Sequence, residues 1–299
     1  MNRLNYEKVF KTLVEETGNY LVNHSLRAMV LGVSGGIDST VVAAICCEVN
    51  KQTNIPLIGR SLPIKNKKDE FDVSKLVGEA FCNNFDVANL YDEYKCFLSG
   101  LVWREERIDL LDDTETMHPE KSKQQTLIAN GNIQARLRMI YLYNLASIHN
   151  GLVMSTDNQT EYQLGFWTIH GDVGDFGPIQ DLWKTEVYQL AEWLKLFYYT
   201  DGDDADKAVA IGESIKLTPT DGLGISNSDL DQIGAKSYND VDRVLQTLVC
   251  PASPENDRVQ DALTVEIGPE IIDKIIKRRS NSRFKREKSP IYISRERYE

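Results

Sequence analysis

From Val30 to Thr40 the chain reads Val-Leu-Gly-Val-Ser-Gly-Gly-Ile-Asp-Ser-Thr, an apolar run passing through small residues into a start rich in hydroxyls with one carboxylate. Glycines let a backbone approach a ligand closely, and the unpaired N–H groups of a helix start favour anions, so this order reads as a phosphate cradle. It is not the GxxxxGK[ST] loop, because no lysine closes it. Charge neutralisation has to come from elsewhere: a metal held by a carboxylate such as Asp38, and basic residues distant in sequence. Glu161 follows a short strand pattern, at the carboxyl edge where doubly wound sheets bind ligands. With Asp38 it would hold Mg2+ against a triphosphate. Lys184 opens a helical pattern, an unfavourable end for a cation unless it faces an anion. Each has a plainer reading as well: Glu161 as an acid at a helix start, Lys184 as a solvated cation, Asp172 and Thr220 as turn residues beside glycine and proline.

The elements that must position these residues alternate between short β-branched runs and longer amphipathic stretches. That alternation predicts an α/β fold, a doubly wound parallel sheet between layers of helices. Helices are expected over Tyr6–Leu21, Asp38–Val49, Phe71–Cys82, Ile128–His149 and Lys184–Leu196, and strands over Ala28–Val33, Ile55–Leu62, Phe85–Leu90 and Gly151–Ser155. Residues 63–70, lysine-rich after Pro63, and 200–238, rich in Asp, Gly and Ser, read as mobile loops, the second a lid rather than core. The polar stretch 98–125 reads as a surface helix and loop. A single domain over residues 1–299 accommodates all of this.

Composition excludes several classes. No run approaches a membrane span, and residues 1–11 lack the apolar segment of a signal peptide, so a cytoplasmic protein is expected. The five cysteines form no CxxC pair and no zinc spacing. Thirty-four basic against 45 acidic residues leave −11, which argues against nucleic acid as the main partner. Charge is nevertheless uneven: nine basic residues lie between Lys277 and Tyr298, against Glu287 and Glu296 alone, a basic tail within 277–299.

Ser34-Gly35-Gly36-Ile37-Asp38-Ser39 resembles the PP-loop of the ATP pyrophosphatase superfamily, which GMP, argininosuccinate, asparagine and NAD synthetases and tRNA-modifying thiolases share. Three further stretches narrow the resemblance. Gly131–Met139 is similar to the GNxxARxRM helix of NAD synthetases. Ser155–Glu161, Gly165-Phe166, Gly171-Asp172 and Pro178–Val187 resemble that family's GTxNxxE…GYxTxxGD…PIxDLxKTxVxxLA block. Pro219–Leu223 falls at its second mobile loop, and Phe284-Lys285-Arg286 resembles its HKR element.

The resemblance implies ATP-dependent amidation of deamido-NAD by ammonia through an acyl adenylate, with AMP and pyrophosphate released. It places ATP at Ser34, Gly35, Gly36, Asp38, Ser39, Thr40, Thr156, Lys184 and Thr220, and Mg2+ at Asp38 and Glu161. The acceptor falls to Arg136, Asp172, Lys285 and Arg286, with Asp38, Asp172 and Lys184 the catalytic set and Asp172 beside the ammonia. A homodimer is implied, and the helix 128–149, apolar on more than one side, is the candidate contact on its own pattern. Departures are Ser155 for a usual glycine, His170 for a usual aromatic and Val173 where a second glycine is common. No cysteine-centred glutaminase motif is present, so ammonia is the expected nitrogen donor. Amidation of nicotinate mononucleotide, another PP-loop amidotransferase and a non-catalytic adenine-nucleotide binder are the alternatives.

Overall fold

The computed structural model describes residues 4–102, 119–200, 204–219, 229–249 and 262–287. Its centre is a four-stranded, wholly parallel sheet of β1 (Met29–Gly32), β2 (Leu57–Ser61), β3 (Asn84–Val87) and β4 (Leu152–Val153), in the order β3-β2-β1-β4. Val30 aligns with Ile58 on one side and Val153 on the other. Met29, Val30 and Leu31 are fully buried, as a central parallel strand covered on both faces requires.

On one face lie α1 (Tyr6–Asn23), α2 (Ile37–Thr53), α3 (Lys68–Phe81), α7 (Lys184–Thr200) and α8 (Ala205–Lys216), sharing a core that joins Phe10, Leu31, Ile45, Val77, Leu190 and Ile211. Helix α2 is buried nearly all round, which explains why its sequence shows no polar stripe. The other face carries α4 (Tyr91–Val102) and α5 (Pro119–His149), packed through Tyr94, Met139 and Leu142 on Val30 and Ile58. A third cluster gathers α6 (Gln159–Leu164), α9 (Asp229–Ile233), α10 (Tyr238–Val249), α11 (262–267) and α12 (Pro269–Asn281) around Leu164, Val241, Leu245 and Ile275.

The doubly wound expectation holds, with corrections. The 200–238 stretch is not one long loop: residues 205–216 form α8, whose Ala208, Ala210 and Ile211 enter the core. The polar letters that suggested a lid lie largely in its flanks. Residues 63–67 are anchored by buried Ile64 and by Asn66, which accepts the Ile64 N–H and a bond from Arg138. Within 98–125, Leu98 is buried on α4, and α5 starts as early as Pro119; residues 103–118 lie outside the described residues. Among the described residues no helix is long and apolar enough to cross a membrane.

Candidate active site

Strand β1 ends in the glycine bend, and α2 starts at Ile37 with Gly36 as its N-cap. Gly35 has φ +84, and a Cβ there would lie 2.8 Å from the Glu70 carbonyl oxygen and the Ser74 nitrogen, so the bend packs against α3 in a way only glycine permits. Beyond the carboxyl ends of β1 and β2 opens a cavity of about 820 Å3. Ser34, Arg60, Arg138, Thr156, Asp157, Glu161, Trp167, Asp172, Arg278 and Lys285 are among the residues that line it. A parallel sheet places its ligands at this edge.

The charged centre sits at the junction of α2, α6 and α7. Asn158 caps α6 in a box with Glu161: its side chain accepts the Glu161 N–H at 3.0 Å, and Glu161 Oε2 accepts the Asn158 N–H at 3.3 Å. Asn158 Nδ2 also donates to Asp38 Oδ1 at 2.8 Å. Lys184, 2% exposed, donates from Nζ to Asp38 Oδ2 in a short contact and to Glu161 Oε1 at 3.1 Å. Burial alone would depress the Lys184 ammonium, but Asp38 and then Glu161 outweigh it and hold the group well above the ordinary lysine range. Three residues separated by 120 or more positions from one end to the other thus meet around one positive charge.

These carboxylates also answer whether a divalent ion suits the site. Asp38 and Glu161 already converge on one cation, the ammonium. Among the described residues no group of three or more His, Cys, Asp or Glu side chains is arranged for a metal. A two-carboxylate set completed by phosphate oxygens and water is the habit of Mg2+, so the donors fit that ion in company with a polyphosphate.

The far wall is acidic. Asp172 accepts the Thr168 N–H at 2.7 Å, and burial, with Asp157 adding to it, pushes its carboxyl up to about 7. Asp157, which accepts the Ser155 hydroxyl at 2.6 Å, is itself pushed up to about 6, chiefly by burial. Ser155, a departure from the family pattern, therefore has a use: it holds Asp157. His170 is exposed on a left-handed turn at φ +56, so it neither fills a packed site nor faces the cavity wall.

Four expected residues stand differently from their sequence reading. Thr40 is fully buried, and its hydroxyl engages Gly36 O at 3.0 Å and Ser214 Oγ at 2.7 Å; it ties α2 to α8 rather than facing phosphate. Ser39, 3% exposed, turns its hydroxyl to Gly36 O at 2.9 Å and meets Ser34 Oγ at 3.0 Å. Arg136 is exposed and donates to Ile169 O, whereas Arg138, about 200° further round the helix, enters the cavity. Arg138 donates to Leu62 O at 3.0 Å and Asn66 Oδ1 at 3.1 Å, with burial lowering it to about 10 against the pull of Glu70 and Asp172. Arg286 spends its guanidinium on Gln163 O, Ser282 Oγ and Arg279 O. Lys285 does reach the cavity, where it bonds Gly165 O at 2.8 Å and the Trp167 carbonyl. Thr220 lies outside the described residues.

Within the described residues, part of the basic C-terminal stretch has a structural use. Arg278 donates to Leu164 O, Lys285 to Gly165 O and Arg286 to Gln163 O, so three cations satisfy the carbonyl end of α6. Gly165 closes that turn at φ +68, where a Cβ would lie 2.4 Å from Ser282 Cβ. Arg138, Asp157 and Arg278 escaped the sequence reading; for Arg138 the helical phase of the 131–139 stretch held the signal.

A parallel α/β sheet with a lysine-free glycine bend at its carboxyl edge is the arrangement that the PP-loop resemblance implies. The sequence profile of the NAD synthase family matches residues 9–289. The chain belongs to that family, and so to the carbon–nitrogen ligases. It is 35% identical over 221 residues to the NH3-dependent NAD+ synthetase of Thermoplasma acidophilum, covering 72% of this chain and 75% of that one. The Pyrococcus furiosus protein of the same name is 28% identical over 288 residues, 96% and 94% of the two chains. Among solved structures, the NMN synthetase of Francisella tularensis superimposes with a TM-score of 0.72 at 23% identity, covering 98% of this chain and 100% of that one. The NH3-dependent NAD synthetase of Campylobacter jejuni gives 0.65 at 21%, covering 97% and 100%.

Proposed function

We propose that this protein amidates the carboxylate of deamido-NAD with ammonia at the expense of ATP, through an acyl adenylate, releasing AMP and pyrophosphate. The observation that carries this reading is the buried Lys184 ammonium clamped by Asp38 and Glu161 beside a cavity whose other wall is Asp172. A carboxylate is a poor acyl donor because its leaving group would be oxide. Attack of a carboxylate oxygen on the α-phosphorus breaks the bond to pyrophosphate and converts that oxide into AMP, a competent leaving group. Lys184 holds positive charge where the phosphorus gathers negative charge, and the N–H groups of the glycine bend and the Ser34 hydroxyl take the phosphate oxygens. Mg2+, held by Asp38 and Glu161, would supply further charge neutralisation when bound with ATP. Asp172 holds ammonium, accepts one of its protons and leaves ammonia to attack the acyl carbon and displace AMP. Arg138, Lys285 and Arg278 present cations to the nucleotide acceptor in the same cavity.

Incubation with Mg-ATP, ammonium and deamido-NAD is expected to yield AMP and the amide in equal amounts. ADP instead of AMP would overturn the cleavage site. A parallel incubation with nicotinate mononucleotide decides the second reading, prompted by the name of the Francisella tularensis structure; a higher kcat/KM there would move the substrate from the dinucleotide to the mononucleotide.

The working unit is read as a dimer through α5, where Ile140 and Ile148 are 65% and 66% exposed and lie about 80° apart round the helix. Light scattering is expected to give twice the chain mass for the wild type and the single mass for Ile140→Asp/Ile148→Asp. A monomeric wild type at micromolar concentration would remove this contact from the reading.

A further inference from the structure

Asp242, on the second turn of α10, is 2% exposed and makes one bond to each of two other helices, α6 and α7. Its Oδ1 accepts the Thr160 hydroxyl at 2.5 Å, and its Oδ2 accepts the Thr185 backbone N–H at 2.9 Å. Thr160 Oγ1 in turn accepts the backbone N–H of Lys184 at 2.9 Å. The first two N–H groups of α7, which have no partner within their own helix, are therefore satisfied by α6 and α10. A carboxylate is well placed there, since the positive end of the helix offsets part of its burial cost. Tyr238, four residues before Asp242 on α10, sets its ring 5.5 Å from the Lys184 ammonium. One helix thus bears on Lys184 twice: on its backbone N–H through Asp242 by way of Thr160, and on its charge through Tyr238. Thr160 also immediately precedes Glu161, so the same carboxylate braces both partners of the central ion pair.

We propose that Asp242 is a positioning residue: through Thr160 and Thr185 it fixes the start of α7 so that the Lys184 ammonium reaches Asp38 and Glu161. This deepens the proposed reaction and rests on Lys184 facing the phosphates in it. Asparagine keeps the shape of Asp242 but turns an NH2 donor toward an N–H donor or toward the threonine hydroxyl, so Asp242→Asn strikes this linkage with little change in volume. A purely structural carboxylate would cost thermal stability and leave turnover per folded molecule untouched.

The test uses the full chain with three readouts. First, reductive methylation of the nucleotide-free protein by formaldehyde and cyanoborohydride, read by peptide mass spectrometry, is expected to label Lys184 about tenfold faster in Asp242→Asn, because a local loosening exposes it. Lys207, buried on α8 away from this junction, keeps its wild-type rate. Secondly, kcat for AMP formation is expected to fall roughly ten- to hundredfold with KM for ATP changed far less, as misplacement of a transition-state group does. Thirdly, in a Lys184→Ala background the same substitution is expected to change kcat by less than about twofold, since the residue it positions is gone.

Unchanged Lys184 labelling in folded Asp242→Asn, or equal effects on kcat with and without Lys184, would overturn the proposal. Should Asp242→Asn not fold, Thr160→Val breaks the same linkage and is judged on the same readouts. A wild type that makes no AMP would sink the reaction, while the labelling experiment would still decide on Asp242.

Discussion

Replacing Lys184 by alanine is expected to lower kcat by about tenfold or more while the sheet and its helices stay folded, because the fixed charge that the proposed reaction sets against the phosphorus is lost. Two further consequences follow from what the ammonium touches. Asp38 and Glu161, only 16% and 18% exposed, are left facing one another without their shared cation. Breaking a largely buried pair in this way costs about 3 kcal/mol, so the variant melts lower in the absence of divalent ions. Added Mg2+ then has a vacant carboxylate pair to occupy and is expected to raise the melting temperature of Lys184→Ala more than that of the wild type. The wild-type ammonium, held well above the ordinary lysine range, stays charged at neutral pH, so its stabilisation is lost only on the alkaline side of that range. Steady-state AMP formation with circular dichroism on the same samples checks the first expectation; a wild-type kcat in Lys184→Ala would discard the role given to this residue.

Asp172→Asn is expected to act in opposite directions on activity and stability. The Asp172 carboxyl is held up at about 7 by burial, with Asp157 contributing. Below about pH 4 the group is neutral in both the folded and the unfolded chain, so it contributes no difference. Between about 4 and 7 the unfolded chain ionises it freely while the folded chain does not, and stability is lost as pH rises; above about 7 the loss is complete. Its full size is on the order of 4 kcal/mol. Asparagine still accepts the Thr168 N–H but never ionises. The variant should therefore match the wild type at pH 4 and melt about 5 °C or more above it at pH 8. Its kcat/KM for ammonium should fall about tenfold or more, because the group proposed to take the proton is gone. In the wild type that parameter should climb with pH through about 7, and the climb should be absent from Asp172→Asn. A variant as active as the wild type, with the same pH profile, would leave Asp172 without a chemical role.

A carboxyl whose ionisation destabilises the fold, and to which the proposed reaction gives a proton-accepting role, is set by the company it keeps. Asp157, Arg138 and Lys285 all act on Asp172 electrostatically, the first raising it and the other two lowering it. The balance leaves the group near neutrality, where proton transfer in either direction is accessible.

The order of letters along the chain was enough for the layers of the fold and for the class of chemistry. An uninterrupted apolar run ending in Ser34-Gly35-Gly36, with Asp38 at the helix start, specifies a buried strand feeding a glycine bend, because burial and backbone freedom are local properties. The helical periods of α1, α3 and α7 were equally readable. Three-dimensional packing alone decided which charges share a pocket. Nothing in the spacing of Asp38, Glu161 and Lys184 says that one ammonium lies between both carboxylates, since that contact is made by helices from distant parts of the chain. Likewise Thr40 and Arg286 carry the letters of ligand-binding residues and spend them on Ser214 and on the carbonyls of α6. A polar side chain looks the same in a sequence whether it meets a substrate or a neighbouring helix end. Only the fold, by deciding where each donor finds its acceptor, separates the two.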